Sequence, residues 1–152
     1  MSKVLAPIGF SEYSDQLIQY AIDLTKRVDG ELHLIHGLEI PPVIKDIYPD
    51  LDLDNILTNL TDKLVEKQKN LEEKHGITIV TKVILGRVYE SILNYQKEEK
   101  IDWLVIGANG SETQQDFIGA NTLRVLRESF SPAISLKGDC LKQPFENVVV
   151  PL

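Results

Sequence analysis

The stretch "VYESILNYQKEEKIDWLVIGANG", Val88 to Gly110, decides the fold. Val88, Ile92 and Tyr95 recur at four- and three-residue spacing, which places them on one side of a helix. The following run, "IDWLVIG" (Ile101 to Gly107), is apolar without polar alternation and reads as a strand covered on both faces. A third apolar run, "ITIVTKVIL" (Ile77 to Leu85), stands before Gly86 and the helix. A strand, a helix and a strand in succession make a parallel pair joined by a right-handed crossover.

The same alternation extends in both directions. "KVLAPI" (Lys3 to Ile8) reads as a buried strand before Gly9, and Ser11 is placed to cap a helix carrying Leu17, Ala21, Leu24 and Val28 on one side. Gly30 is placed to stop that helix, and "ELHLIHGLE" (Glu31 to Glu39) is the next strand. Pro41, Pro42 and Pro49 argue against regular structure between that strand and a helix from Leu53 to Lys74, which Gly76 closes. "NTLRVLRESF" (Asn121 to Phe130) predicts a fourth helix and "PAISLK" (Pro132 to Lys137) a fifth strand. The order βαβαβαβαβ predicts an open, doubly wound five-stranded parallel sheet with helices on both faces, a Rossmann-like α/β fold. Ligands in such sheets bind beyond the carboxyl ends of the strands, at the switch in strand order. Three loops converge there: Pro7 to Ser11, His36 to Glu39, and Gly107 to Asn121.

Bulk composition narrows the function classes. A chain of 152 residues with 43% hydrophobic and 26% charged residues is an ordinary soluble domain. Its net charge of −7, with no basic stripe, disfavours nucleic acid and anionic membranes as partners. The lone Cys140 excludes an internal disulfide, and "MSKVLAPIGF" lacks a signal-peptide core, so a cytoplasmic location is expected.

Few residues offer chemistry. His33 and His36 lie three apart on a strand, so they face opposite sides and do not share a metal; both are expected to be packed or hydrogen-bonded within the fold. His75 sits at a helix C-terminus, where a cation suits the dipole. "DLDLDN" (Asp50 to Asn55) lacks the glycine and final glutamate of a calcium loop and reads as an acidic approach to a helix. Cys140, Ser11 and Ser14 have no base or oxyanion site in view, and no catalytic residue is expected.

Several stretches taken together are similar to the universal stress protein family: "KVLAPIGFSEYSDQLIQYAIDLTKRVDGELHLIHGLE", "LGRVYESILNYQKEEKIDWLVIGANG" and "IGANTLRVLRESFSPAISLK". The resemblance covers residues 2 to 138 and implies a sheet of the adenine nucleotide alpha hydrolase-like kind, already predicted above. It further implies a homodimer, often built through the last strand, or a pseudo-dimer with a second domain of the same family, and ATP binding in many members but not all. In ATP-binding members a Gly-x-x-Gly pair follows the fourth strand, and Gly-Ser or Gly-Thr follows later. Pro7, Gly107, Gly110 and Gly119 match ligand positions, and Asn121 is placed to cap the next helix or reach a ligand. Gly9 stands where those members carry an aspartate, Gly37 where they carry a valine, and Ala120 where they carry the hydroxyl. Only eight residues separate Gly110 from Gly119, one fewer than the pattern asks.

The loop's chemistry is as informative as its shape. Glycines let backbone N–H groups approach a phosphate, but Ala120 donates nothing, and Glu112 and Asp116 repel a polyphosphate. The expectation is a noncatalytic stress-response module without a cofactor, acting by dimerisation or partner binding; the alternative is an ATP or AMP module with phosphates held by the loop Gly107 to Asn121. A phosphoacceptor receiver is excluded because Gly9 replaces the acidic cluster it needs after the first strand. The domain is read as residues 1–138, with 139–152 a linker plus either the start of a second repeat or an extra edge strand, because "NVVVPL" (Asn147 to Leu152) parallels Lys3 to Ile8.

Overall fold

The computed structural model describes residues 2–9, 12–107, 125, 127–129 and 131–136. Five strands, β1 (Lys3–Pro7), β2 (Glu31–Leu38), β3 (Thr78–Leu85), β4 (Trp103–Gly107) and β5 (Ala133–Leu136), form one parallel sheet in the order β3-β2-β1-β4-β5. Four helices are described: α1 (Glu12–Arg27), α2 (Pro42–Ile47), α3 (Leu53–His75) and α4 (Val88–Glu99). Val125, Arg127 and Glu128 are also helical, within the segment expected to form the helix before β5.

Strand alternation sends side chains to two separate cores. Val4, Ala6, Ile8, Leu32, Leu34 and Val105 pack with Leu17, Ala21 and Leu24 of α1 and Leu64 of α3. Leu5, Ile35, Leu104 and Ile106 face the other way, onto Val88, Ile92 and Tyr95 of α4 and onto Val125. The sheet is thus doubly wound, as its unbroken apolar strands require.

The helix ends show why these segments stop where they do. Asp52 caps α3, its Oδ1 accepting the N–H of Asn55 at 3.0 Å. Gly76 ends α3 in the left-handed region at φ 66°, returning its N–H to the Glu72 carbonyl at 2.8 Å. Gly30, expected as the stop of α1, plays a different part. The left-handed residue is Asp29 at φ 52°, and Gly30 completes the cap by donating to the Thr25 carbonyl at 3.0 Å. A Cβ on Gly30 would lie 2.3 Å from the carbonyl oxygen of Ser2, so glycine is required here for close backbone approach.

Two further expectations change. Pro42 opens the short helix α2 where prolines argued against any regular structure, because the first helical position needs no N–H and Pro41 supplies an extended entry at ψ 140°. His75 was expected as a cation at the end of α3. Instead its Nδ1 faces Lys26 Nζ at 3.1 Å, and lost hydration together with Lys26 and Lys74 holds its pKa below 6.5 against the pull of Asp23. A neutral ring can accept from the Lys26 ammonium, and Lys74 remains as a cation in the last turn.

Candidate functional site

The strand order reverses between β1 and β4: β2 and β3 lie on one side, β5 on the other. The register Val4↔Trp103 and Leu5↔Leu104 carries both central strands to the same end, where Pro7 closes β1 and Gly107 closes β4, both buried. This is the crevice that parallel sheets use for ligands. Of the sequence-predicted site residues, Pro7, Gly9, Gly37 and Gly107 line or adjoin it. Gly110, Gly119, Ala120 and Asn121, with Glu112, Asp116 and Ser11, lie outside the described residues.

The turn after β1 is pinned from two directions. Ile8 donates to the Ile35 carbonyl at 2.8 Å, and its own carbonyl accepts from His36 Nδ1 at 2.8 Å. The N–H of Gly9 donates to Ser14 Oγ at 2.9 Å, across the first turn of α1. His36 is buried on one face of β2 and holds this turn in place, a positioning role that its strand neighbours alone did not reveal.

Gly37 has a packing reason to be glycine. A Cβ there would stand 3.3 Å from Val88 Cγ2, so the small residue lets the start of α4 settle against β2. The β3–α4 turn is tied to the same place: Gly86, at φ 143°, donates to the Leu38 carbonyl at 3.0 Å, and the N–H of Val88 donates to Glu39 Oε1 at 3.2 Å. Glu39 thus places its charge at the positive end of a helix. Residues 39 and 88 are 49 apart in sequence, and no local pattern announces the pair. Arg87, on this same turn, pairs with Glu90 at 3.9 Å.

The two strand histidines separate as their spacing required. His33 points to the face opposite His36. Its Nε2 donates to Glu31 Oε1 at 3.0 Å, and in the neutral ring Nδ1 accepts from the Tyr95 hydroxyl at 2.7 Å. Burial first, then the charges of Glu99 and Glu31, push the Tyr95 phenol from 10 up to about 12. A phenol whose folded pKa is raised contributes stability that is complete below pH 10 and is lost as pH climbs toward 12. Ultraviolet titration of the phenolates is expected to show a late step that loses one tyrosine's amplitude in Tyr95→Phe. A late step of undiminished amplitude in the variant would refute the assignment. Among the described residues no group of three or more histidine, cysteine, aspartate or glutamate side chains could hold a metal ion, and no helix is long and apolar enough to cross a membrane.

Among the described residues near the crevice, three main-chain groups are already engaged within the protein. The Gly9 N–H, the Ile8 carbonyl and the Val88 N–H all have protein partners, and Gly9 brings no carboxylate.

A profile of the Universal stress protein family matches residues 1–136. The universal stress protein MJ0531 of Methanocaldococcus jannaschii is 22% identical over 139 residues, covering 89% of this chain and 81% of that protein. The fold is similar to that of the universal stress protein UspA from Lactobacillus plantarum, with a TM-score of 0.71, 19% identity, and 89% and 97% of the two chains covered. A universal stress protein solved in complex with cAMP has a TM-score of 0.67, 17% identity, and 89% and 96% coverage. The match over the whole described sheet, together with its strand order and switch-point crevice, identifies the chain as a member of the universal stress protein family.

Proposed function

We propose that this chain is a noncatalytic stress-response module that acts by dimerisation or partner binding, in the cytoplasm, with weak or lost nucleotide binding. The observation that carries the reading is the turn after β1. Its N–H and carbonyl are bound by Ser14 and His36, and Gly9 stands where ATP-binding members carry a carboxylate. One lost hydrogen bond costs about 0.5–1.5 kcal/mol, or about 1.5–3 when a partner is charged. Since about 1.4 kcal/mol is tenfold in affinity, two or three such losses move a micromolar ligand toward millimolar.

Isothermal calorimetry with ATP, AMP and cAMP is expected to show no saturable binding in the low-micromolar range. Saturable binding there, or nucleotide carried through purification, would overturn the reading. The double variant Gly9→Asp, Ala120→Ser is expected to gain affinity for ATP, because it restores the carboxylate and the hydroxyl together.

The second reading is a nucleotide-binding module with phosphates held by the loop Gly107 to Asn121. It is favoured by the switch-point crevice at Pro7 and Gly107 and by the likeness to a fold relative solved with cAMP. Calorimetry separates the two directly.

A further inference from the structure

We propose that α2 and the turn after it form a docking surface for a basic, aliphatic segment of another protein, with an arginine of that segment seated beside Tyr48. This rests on the partner-binding half of the proposed function and gives the partner its chemistry.

No residue of α2 is buried. Val43, Ile47 and Tyr48 are 52%, 59% and 60% exposed, and they make up three of the five large hydrophobic side chains that the described residues leave in solvent. Val43 and Ile47 stand four apart on one face of the helix, and Tyr48 follows at its C-terminus. Single exposed aliphatics are ordinary on a protein surface, but three on one short element make a patch.

A helix of six residues is too short to be stable by itself, and this one has no buried side chain to anchor it. Local features hold it instead. Pro41 and Pro42 fix its entry. The N–H of Ile44 donates to the Pro41 carbonyl at 3.0 Å, that of Tyr48 to the Ile44 carbonyl at 2.8 Å, and that of Leu51 to the Tyr48 carbonyl at 3.1 Å. The patch is thus shaped before a partner arrives, which lowers the ordering cost of binding.

Charge selects the occupant. Tyr48 also belongs to a cleft of about 340 Å³, lined further by Leu51 and Leu53, by Asp52 and Asp54, and by Lys45. Asp52 caps α3 through Oδ1. Among the described residues, Asp46, Asp50 and Asp54 form no ion pair, and all three are exposed. Four aspartates against the single Lys45 leave this surface acidic. A second copy would set aspartates against aspartates, and each copy carries a net charge of −7, so this face does not favour self-association. Nucleic acid and anionic membrane are repelled for the same reason. An arginine meets each feature of the cleft. Its guanidinium stacks on an exposed tyrosine ring and pairs with carboxylates, and its methylene stem covers leucine. An aliphatic neighbour in the same segment then has Val43 and Ile47 to pack against.

The test uses the full chain, isotope-labelled, and synthetic peptides that alternate arginine with leucine. Parallel sets carry lysine, serine or glutamate in place of arginine. Fluorescence anisotropy ranks the peptides, and amide shifts in NMR spectra locate the contact. The arginine set is expected to bind saturably, to weaken as salt rises, and to shift the amides of Val43, Ile47, Tyr48 and Asp54. Tyr48→Ala is expected to raise Kd about tenfold or more, and Tyr48→Phe to leave it near the wild-type value. Asp52→Asn combined with Asp54→Asn is expected to weaken binding and flatten its salt dependence, asparagine keeping the α3 cap. Absence of saturable binding overturns the proposal, as does a glutamate set that binds as well as the arginine set. A lysine set that binds equally tightly overturns the arginine assignment. Self-association of the wild type that Tyr48→Ala abolishes would give this face to a second copy and also overturn it. If a variant loses its circular dichroism, the shift map of the wild type decides. Shifts confined to another surface overturn the α2 assignment and leave partner binding standing. Tight ATP binding in the calorimetry above would instead overturn the nucleotide half of the proposed function and leave α2 untouched.

Discussion

Leu5→Ala is expected to lower the unfolding free energy by about 2–5 kcal/mol, the usual range when a buried leucine is cut to alanine. Leu5 is fully buried in the central strand, with His33 of β2 and Leu104 of β4 as its register neighbours. It packs within the core made by Ile35, Val88, Ile92, Tyr95, Leu104 and Ile106. Strands hold it on both sides and α4 covers it, so the cavity cannot collapse without moving the sheet. At about 2–4 °C per kcal/mol for a chain of this size, the melting temperature should fall by roughly 4–20 °C at a fixed protein concentration. Val80→Ala is the control, since Val80 is 36% exposed on the edge strand and should change stability little. Equilibrium urea unfolding gives both values, and a loss below about 1 kcal/mol for Leu5→Ala would show that this core is not packed as described.

Gly30→Ala is the second large effect, and its cause is contact with backbone. The added Cβ would lie 2.3 Å from the Ser2 oxygen and 3.0 Å from the Ser2 carbonyl carbon. That oxygen also accepts the N–H of Glu31 at 2.9 Å, so the approach is part of the pairing between β1 and β2. Overpacking of this sort costs about 1–3 kcal/mol, occasionally more. Two other glycines grade the result. Gly76→Ala meets no atom within 4 Å, and its cost comes from φ +66° alone, about 1–2 kcal/mol. Gly37→Ala meets the buried Val88, at 3.3 Å from Cγ2 and 3.6 Å from the backbone Cα, a looser contact than the 2.3 Å at Gly30, and should cost less than Gly30→Ala. If Gly37→Ala proved the most damaging of the three, the reading of Gly30 would be wrong.

Much of the architecture was legible because it rests on periodicity and caps. Val88, Ile92 and Tyr95 marked the α4 face that the structure buries. Asp52 and Gly76 bracket α3 as acid cap and left-handed stop. The misreadings came where a local rule has two outcomes. Proline excludes a helix interior but suits a helix start, so Pro42 opens α2. Glycine serves positive φ or close approach, and Gly30 serves the second. A histidine near a helix C-terminus gains from charge only if its neighbours allow it, and Lys26 is brought to His75 from another helix.

What the sequence determined by itself is the alternation of apolar strands and one-sided helices, and from it a parallel sheet with a crevice at Pro7 and Gly107. That information is local, carried by residues within a few positions of one another, and chain order supplies the rest. The tertiary structure alone decided which groups meet across that frame. His36 reaches the Ile8 carbonyl across 28 positions, Glu39 the Val88 N–H across 49, and Tyr95 the His33 ring across 62. It also decided how α3 meets the edge of β3, where Gln68 and Glu72 bond the main chain of Ile79. Contacts at such separations leave no periodic trace in the chain. They follow from how the sheet twists and where each helix lands on it.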